Sequence, residues 1–312
     1  MDKSFVYPKL PNAGLGNMLL VWAKAVLFAE INSLPIIAPS WRKLKIGHLL
    51  RGEKYQRNYG GYFYNKEYVS RIKGFIINWA TTKIYEPPIQ LLSNSHQLSH
   101  CVYIFSAIPD WHNYFLDIKE NHLLIQKKLR AIIRPHLLNQ IDACPTPKIG
   151  IHVRMSDFRK LQAGEDFAKI GSVRTPILWY VSVLRRIREL AGYVVPATIF
   201  SDGYDYELND LLQLPKVIRA PHASAISDML TLSRSKLIVT SAGSTFSAWA
   251  SYLGQPPTIW HPAHFHSGVF SRDISKTTFE GGFDPEVMTT PDLLERNILS
   301  LFTNENSGAD NL

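Results

Sequence analysis

The run Ile151-His152-Val153-Arg154-Met155-Ser156-Asp157 sets an imidazole, a guanidinium, a hydroxyl and a carboxylate where the apolar alternation KIGIHV ends. Arg154 suits a phosphate or diphosphate, because its planar fork donates two parallel hydrogen bonds and keeps its charge. An ion pair with Asp157 is the structural alternative. His152 lies on the strand face opposite Ile151 and Val153, where it serves a ligand or a buried neighbour. Two more apolar runs end in polar residues: ATIF in Ser201-Asp202-Gly203, and KLIVT in Ser241-Ala242-Gly243-Ser244-Thr245-Phe246-Ser247. The last is a loop of small residues opening a helix. Its free backbone N–H groups, with a dipole of roughly half a positive charge, favour an anion. A plain N-cap by Ser244 or Ser247 is the competing reading.

Other polar patterns carry less. In GLGN, Gly14 and Gly16 let a backbone approach a ligand and Asn17 stands at a helix start. Leu19 occupies the position where a dinucleotide GxGxxG needs its last glycine. His261-Pro262-Ala263-His264-Phe265-His266 lacks a cysteine or acid within it, so no metal is expected there. No DxD stands ready for a diphosphate-bound cation, and Asp205-Tyr206-Glu207 reads as a helix start. No GxSxG, HExxH or Walker loop occurs.

The elements that must position these residues are clearest after Asp142-Ala143-Cys144-Pro145-Thr146-Pro147, whose prolines end the helix-like HLLIQKKLRAIIRPHLL. KIGIHVR, ATIFSD, KVIRA, KLIVTS and PPTIW read as strands, with PPTIW the last. ILWYVSVLRRIREL, ELNDLLQL, ISDMLTLSRS and SAWASYLG read as the helices between and beside them, the last closed by Gly254. Alternating strands and helices imply a parallel, Rossmann-like sheet, and ligands bind beyond the carboxyl ends of its strands. Three polar strand ends therefore point to one crevice. Before the break, FVYPKL and PIIAPS read as strands around a helix over Met18–Asn32, while Trp41 to Ile118 is aromatic-rich and unordered by periodicity. The expected fold is α/β with two domains, residues 1–145 and 146–312, facing across a cleft.

Composition sets the class. At 312 residues, 46% hydrophobic and 19% charged, the chain can fill large cores. The +8 net charge favours an anionic partner such as a nucleotide, a phosphorylated substrate, a membrane surface or nucleic acid. The arginines of Leu184-Arg185-Arg186-Ile187-Arg188 read as a solvated face, and no nucleic-acid motif occurs. Cys101 and Cys144 form no CxxC, which fits a reducing compartment. No apolar leader opens the chain. Its longest apolar run, Met18–Ala29, is interrupted by Lys24 and shorter than the ~20 residues that span a bilayer. The expectation is a cytoplasmic protein with at most peripheral membrane contact and a frayed C-terminus, TNENSGADNL.

GLGN before an apolar helix, HVRxxD and FSD at successive strand ends, and the ordered run Asp228…LIVTSAGSTFSAWASYLG resemble the fucosyltransferase superfamily over about residues 10–260. The likeness is greatest to the α-1,2-fucosyltransferases. The resemblance implies a GT-B fold, GDP-fucose as donor, no metal or other cofactor, and inversion at the sugar carbon. It assigns Arg154 to the β-phosphate, His152 to the nucleotide pocket and Asp228 to guanine. Gly243, Ser244, Thr245 and Phe246 fall in the diphosphate loop, and Asn17 faces the reaction centre. Met155-Ser156 stand where the family writes Arg-Gly, and SAGSTFSAWA where it writes SNSTFSWWA, so another nucleotide sugar remains open as donor.

In the implied transfer, Arg154 and the helix N-terminus stabilise the departing nucleotide. Asp157 is the first candidate for the base, or else the carboxylate that orients Arg154; Glu165 and Asp166 are the alternatives. The acceptor is expected to be a hydroxyl of a glycan or lipid-linked glycan in polysaccharide biosynthesis. Tyr55, Tyr59, Tyr62, Phe63 and Tyr64 could stack on its rings or pack in the N-terminal core. A nucleotide-sugar-binding protein without catalysis and a nucleic-acid-binding protein are the rival classes.

Overall fold

The computed structural model describes residues 3–42, 59–90, 100–221 and 223–303. Their contacts divide into one unit through Asn139 and a second from Gln140 onward.

In the first unit, β1 (Phe5–Pro8) leads through Gly14 into α1 (Leu15–Ile31). The apolar run of α1 is buried nearly all round, as a helix hydrophobic on every face must be. Lys24, the interruption in that run, reaches Asp117 at 3.3 Å and Glu86 at 3.8 Å. PIIAPS forms only single parallel bridges, Val6 with Ile36 and Ile37 with Val69. The aromatic-rich stretch that periodicity left unordered holds α2 (Arg71–Ala80), β2 (Thr82–Tyr85) and β3 (Cys101–Phe105). The parallel sheet runs β1-β3-β2. α3 (His122–Ile132) and α4 (Pro135–Ala143) follow, the first meeting α1 through Lys128 and Glu30 at 2.7 Å. Tyr59 and Phe63 are buried and Tyr62 and Tyr64 half-buried, which favours packing; Tyr55 lies outside the described residues.

The second unit is a six-stranded parallel sheet. Its strands are β4 (Ile149–Val153), β5 (Ala197–Ser201), β6 (Val217–Arg219), β7 (Leu237–Val239), β8 (Thr258–Trp260) and β9 (Glu280–Gly282). They lie in the order β6-β5-β4-β7-β8-β9. This is the 3-2-1-4-5-6 order of the doubly wound dinucleotide fold, with the strand order reversing between β4 and β7. The connecting helices are α5 (Ile177–Ala191), α6 (Asn209–Leu212), α7 (Ala225–Ser233), α8 (Thr245–Gly254) and α9 (Asp292–Phe302). With both faces covered, β4 is buried at every residue, which is why IGIHV carries no solvent-facing polar alternation. Leu294, Ile298 and Phe302 of α9 join the same core as β4 and α5.

Several local expectations are corrected. PPTIW is not the last strand. β9, a glycine-rich triplet too short to show a period, pairs in parallel with β8. ELNDLLQL is only a four-residue helix preceded by a single 3₁₀ turn at Asp205–Glu207. Gly254 does not close α8 by a left-handed turn; Gln255 does, at φ 49°. Gly254 is instead required by packing, since a Cβ there would stand 1.7 Å from the Ser233 carbonyl oxygen. The basic helix face is only partly solvated. Arg188 donates to the carbonyls of Val195 and Pro215, and Arg186 to Thr290 and Glu189.

Candidate functional site

The sheet register explains why distant polar residues meet. Val153 lies opposite Ser201 on β5, so Arg154 emerges beside Asp202. Ile151 lies opposite Val239 on β7, so the same turn comes level with Ser241. Arg154 Nη1 donates to Asp202 Oδ2 at 2.5 Å, and Nη2 lies 2.6 Å from Asp157 Oδ1. Asp202 also accepts from the Met155 amide (2.8 Å), the Ser156 amide (3.3 Å) and the Ser156 hydroxyl (2.7 Å). Burial alone would raise the Asp202 carboxyl, but Arg154 and these donors hold it below the usual carboxylate range. The ion pair with Asp157 is present, and Arg154 at the strand tip is paired with a carboxylate on both sides.

The β7 side is built by hydroxyls. The Ser241 hydroxyl accepts from the Arg154 amide (3.2 Å), and the Ser247 hydroxyl from the Ser241 amide (3.1 Å). His152 Nδ1 lies 2.7 Å from Ser247 Oγ, and its ring stacks on Phe246 with centroids 4.7 Å apart. Burial pushes His152 down to about 3 against the pull of Asp202, so the imidazole is neutral at physiological pH. Gly243 takes φ 63°, a left-handed turn that favours glycine, just before α8. Ser244 occupies the N-cap position, yet its side chain makes no cap bond, and Ser247 serves Ser241 and His152 instead. The N-cap reading does not account for these serines. The first-turn amides of Thr245 and Phe246 lack intrahelical acceptors, as at any helix start.

Asp228 sits in the first turn of α7 and is half-buried. Burial raises its carboxyl to about 7, with Arg219 opposing. Asn17, in the first turn of α1, keeps a buried Oδ1 without a hydrogen-bond partner; Gly14 is the extended residue before that helix and Gly16 is buried within it.

The alternative bases are otherwise engaged. Glu165 accepts from both terminal nitrogens of Arg159 (2.6 and 2.7 Å) and from the Gln162 amide, and Arg159 holds its carboxyl below the usual carboxylate range. Asp166 caps the Ala168 amide and pairs with Lys169, which lower it likewise. His261 and His264 flank the Phe167 ring rather than one another's ligand positions. Among the described residues no group of three metal-type side chains exists.

Sequence reasoning missed three supports. Thr175, buried, accepts from the Ala242 amide at 3.0 Å; its Thr-Pro context reads only as a helix start. Arg174 donates to the Met155 and Phe158 carbonyls and to Glu207, clamping the turn after β4. Arg219, at the end of β6, binds the Ser201 and Gly203 carbonyls and Asp205. A cation ending a fourth strand was the available signal for it. Tyr204 and Tyr206 stack beside this tip with centroids 5.6 Å apart.

No protein-family model matches the chain, and no curated protein matches it. Solved structures do. The α-1,6-fucosyltransferase NodZ co-crystallised with GDP aligns over 84% of this chain and 96% of its own, at 16% identity and TM-score 0.53. The chain shares a GT-B-like α/β fold with NodZ. The selenomethionine form of NodZ from Bradyrhizobium aligns over 84% and 95%, at 16% identity and TM-score 0.51. POFUT1 in complex with GDP aligns over 83% and 98%, at 15% identity and TM-score 0.49.

Proposed function

We propose that this protein is an inverting, metal-independent glycosyltransferase that moves fucose from GDP-fucose to a glycan hydroxyl, with α-1,2-type linkage. One observation carries the reading: the tips of β4, β5 and β7 are wired together at the switch point of a six-stranded sheet, through the Arg154 guanidinium on the β5 side and the Arg154 amide on the β7 side, where the helix N-terminus that follows is left uncapped by its serine. The shared fold with NodZ, a fucosyltransferase crystallised with GDP, supports the same donor class.

Arg154 with Asp157 and Asp202 carries a net charge of −1, so a diphosphate must displace one carboxylate to be held. Asp202 is 18% exposed and fixed by three further donors, while Asp157 is 28% exposed. Asp157 is the partner that yields. Its carboxylate is then released beside the donor at the moment a base is required. The acceptor hydroxyl oxygen bonds to the sugar carbon, the bond from that carbon to the β-phosphate oxygen breaks, and GDP leaves with the electron pair. Asp157 takes the acceptor proton, and Arg154 and the start of α8 stabilise the charge on GDP. Asp228 accepts from guanine, His152 and Phe246 line the nucleotide pocket, and Asn17 offers its unpaired oxygen to a substrate hydroxyl. A lipid-linked or surface polysaccharide repeat made in the cytoplasm is the proposed acceptor.

Thermal shifts with GDP, UDP, CMP and ADP test the donor class. GDP alone should stabilise the protein, and equal response to all four would sink the reading. Arg154→Ala should lower transfer about 10²–10³-fold, with circular dichroism unchanged. GDP-fucose binding without GDP release in any acceptor mixture would replace the enzyme by a binding protein. Transfer is expected to persist in EDTA.

A further inference from the structure

Helix α2 wears its apolar side outward. Ile72, Phe75, Ile76 and Trp79, spaced i, i+3, i+4 and i+7, form one stripe and are 79%, 76%, 60% and 84% exposed. The helix cannot roll to hide them. On the opposite side, Gly74 is buried so closely that a Cβ would stand 2.3 Å from Ile37 Cγ2, and Ile77 packs on the cluster of Ile37, Val102 and Ile104. Arg71 and Lys73 are exposed and, on a 100° helical wheel, fall on the two borders of the stripe. From Ser70 to Tyr85 the chain holds three cations, Arg71, Lys73 and Lys83, and no carboxylate. An apolar stripe edged by cations on a helix too short to span a bilayer is built to lie in an interface plane. A tryptophan at its end fits the headgroup boundary. Among the described residues no helix is long and apolar enough to cross a membrane.

We propose that α2 docks this protein onto an anionic lipid surface, with Ile72, Phe75, Ile76 and Trp79 entering the headgroup boundary and Arg71 and Lys73 meeting lipid phosphates. The docking is independent of the proposed transfer and needs no nucleotide. It is a localised contact, different from the diffuse attraction that a +8 net charge would give.

The test is co-sedimentation of the full chain with phosphatidylglycerol–phosphatidylcholine vesicles at about 50 mM salt, together with quenching of tryptophan by brominated lipid. The other six tryptophans are buried or half-buried, so quenching reports Trp79. Wild type should bind and be quenched. W79F should bind with quenching lost. The triple variant I72S/F75S/W79S and the double variant R71E/K73E should each lose about tenfold or more in partitioning, with unchanged circular dichroism and unchanged melting temperature. Triple-variant binding equal to wild type would overturn the proposal. So would wild type that ignores anionic vesicles, or one whose stripe instead drives concentration-dependent self-association in sedimentation velocity.

Discussion

A guanidinium held between two carboxylates is a poised group. Arg154 reaches Asp202 and Asp157 at 2.5 and 2.6 Å, and the two acids differ in how firmly they are fixed. Asp202 anchors the whole 154–156 turn through three further donors and is the less exposed of the two. Asp228 supplies a pH dependence at the same scale. Its folded carboxyl titrates at about 7, above its unfolded value near 4, because burial disfavours the charge. Between those values the folded state binds more protons than the unfolded one, so its contribution to stability falls as pH rises from about 4 to 7 and then levels. Asp228→Asn should therefore raise the melting temperature by a few degrees at pH 8 and leave it nearly unchanged at pH 4, read by scanning calorimetry. In the proposed guanine contact the ionised carboxylate is the acceptor. GDP affinity should then weaken below pH 7, by up to about tenfold per unit, and lose that dependence in the Asn variant.

At the level of elements, the site depends on how closely α7 and α8 approach. The carbonyl of Ser233, the last residue of α7, sits where a side chain at Gly254 would begin. Backbone cannot swing away as a flexible side chain can. Gly254→Ala should cost about 1–3 kcal/mol, seen as a lower midpoint in urea. Because α8 also carries Thr245, Phe246 and Ser247 at its other end, GDP affinity should fall with it. Unchanged affinity in a destabilised variant would show that the 243–247 turn is held by its hydroxyl network alone. α2 presents the opposite case: Gly74 allows one side to pack so tightly that the other is committed to solvent or to a partner.

On the scale of the whole molecule, two units carry unequal sheets; the candidate donor residues His152, Arg154, Asp202, Asp228 and Gly243 to Phe246 belong to the second, and Gly14 and Gly16 to the first. GDP should slow amide hydrogen exchange at residues 154–157 and 241–248 and leave the β1–β3 amides unaffected. Protection spread evenly over both sheets would place the nucleotide elsewhere. The first unit was poorly legible because its later strands lie in an aromatic-rich stretch without a regular apolar–polar alternation. Its sheet joins β1, β2 and β3 from chain positions almost a hundred residues apart.

Sequence alone determined that the second half alternates strand and helix, and that three strands end in Arg154, Asp202 and Ser241. Those are local matters: a two-residue period, a helix opening and a small-residue loop are written in neighbours along the chain. Tertiary structure decided which ends stand side by side, because strand order and register are set by long-range packing and not by any one segment. It decided that Arg154 is doubly paired, that Glu165 and Asp166 are already engaged, and that Thr175 and Arg174 brace the turn. It also decided that a stripe of isoleucine, phenylalanine and tryptophan, which any periodicity reading would bury, faces outward, since Gly74 rather than the apolar stripe gives the close contact with the core.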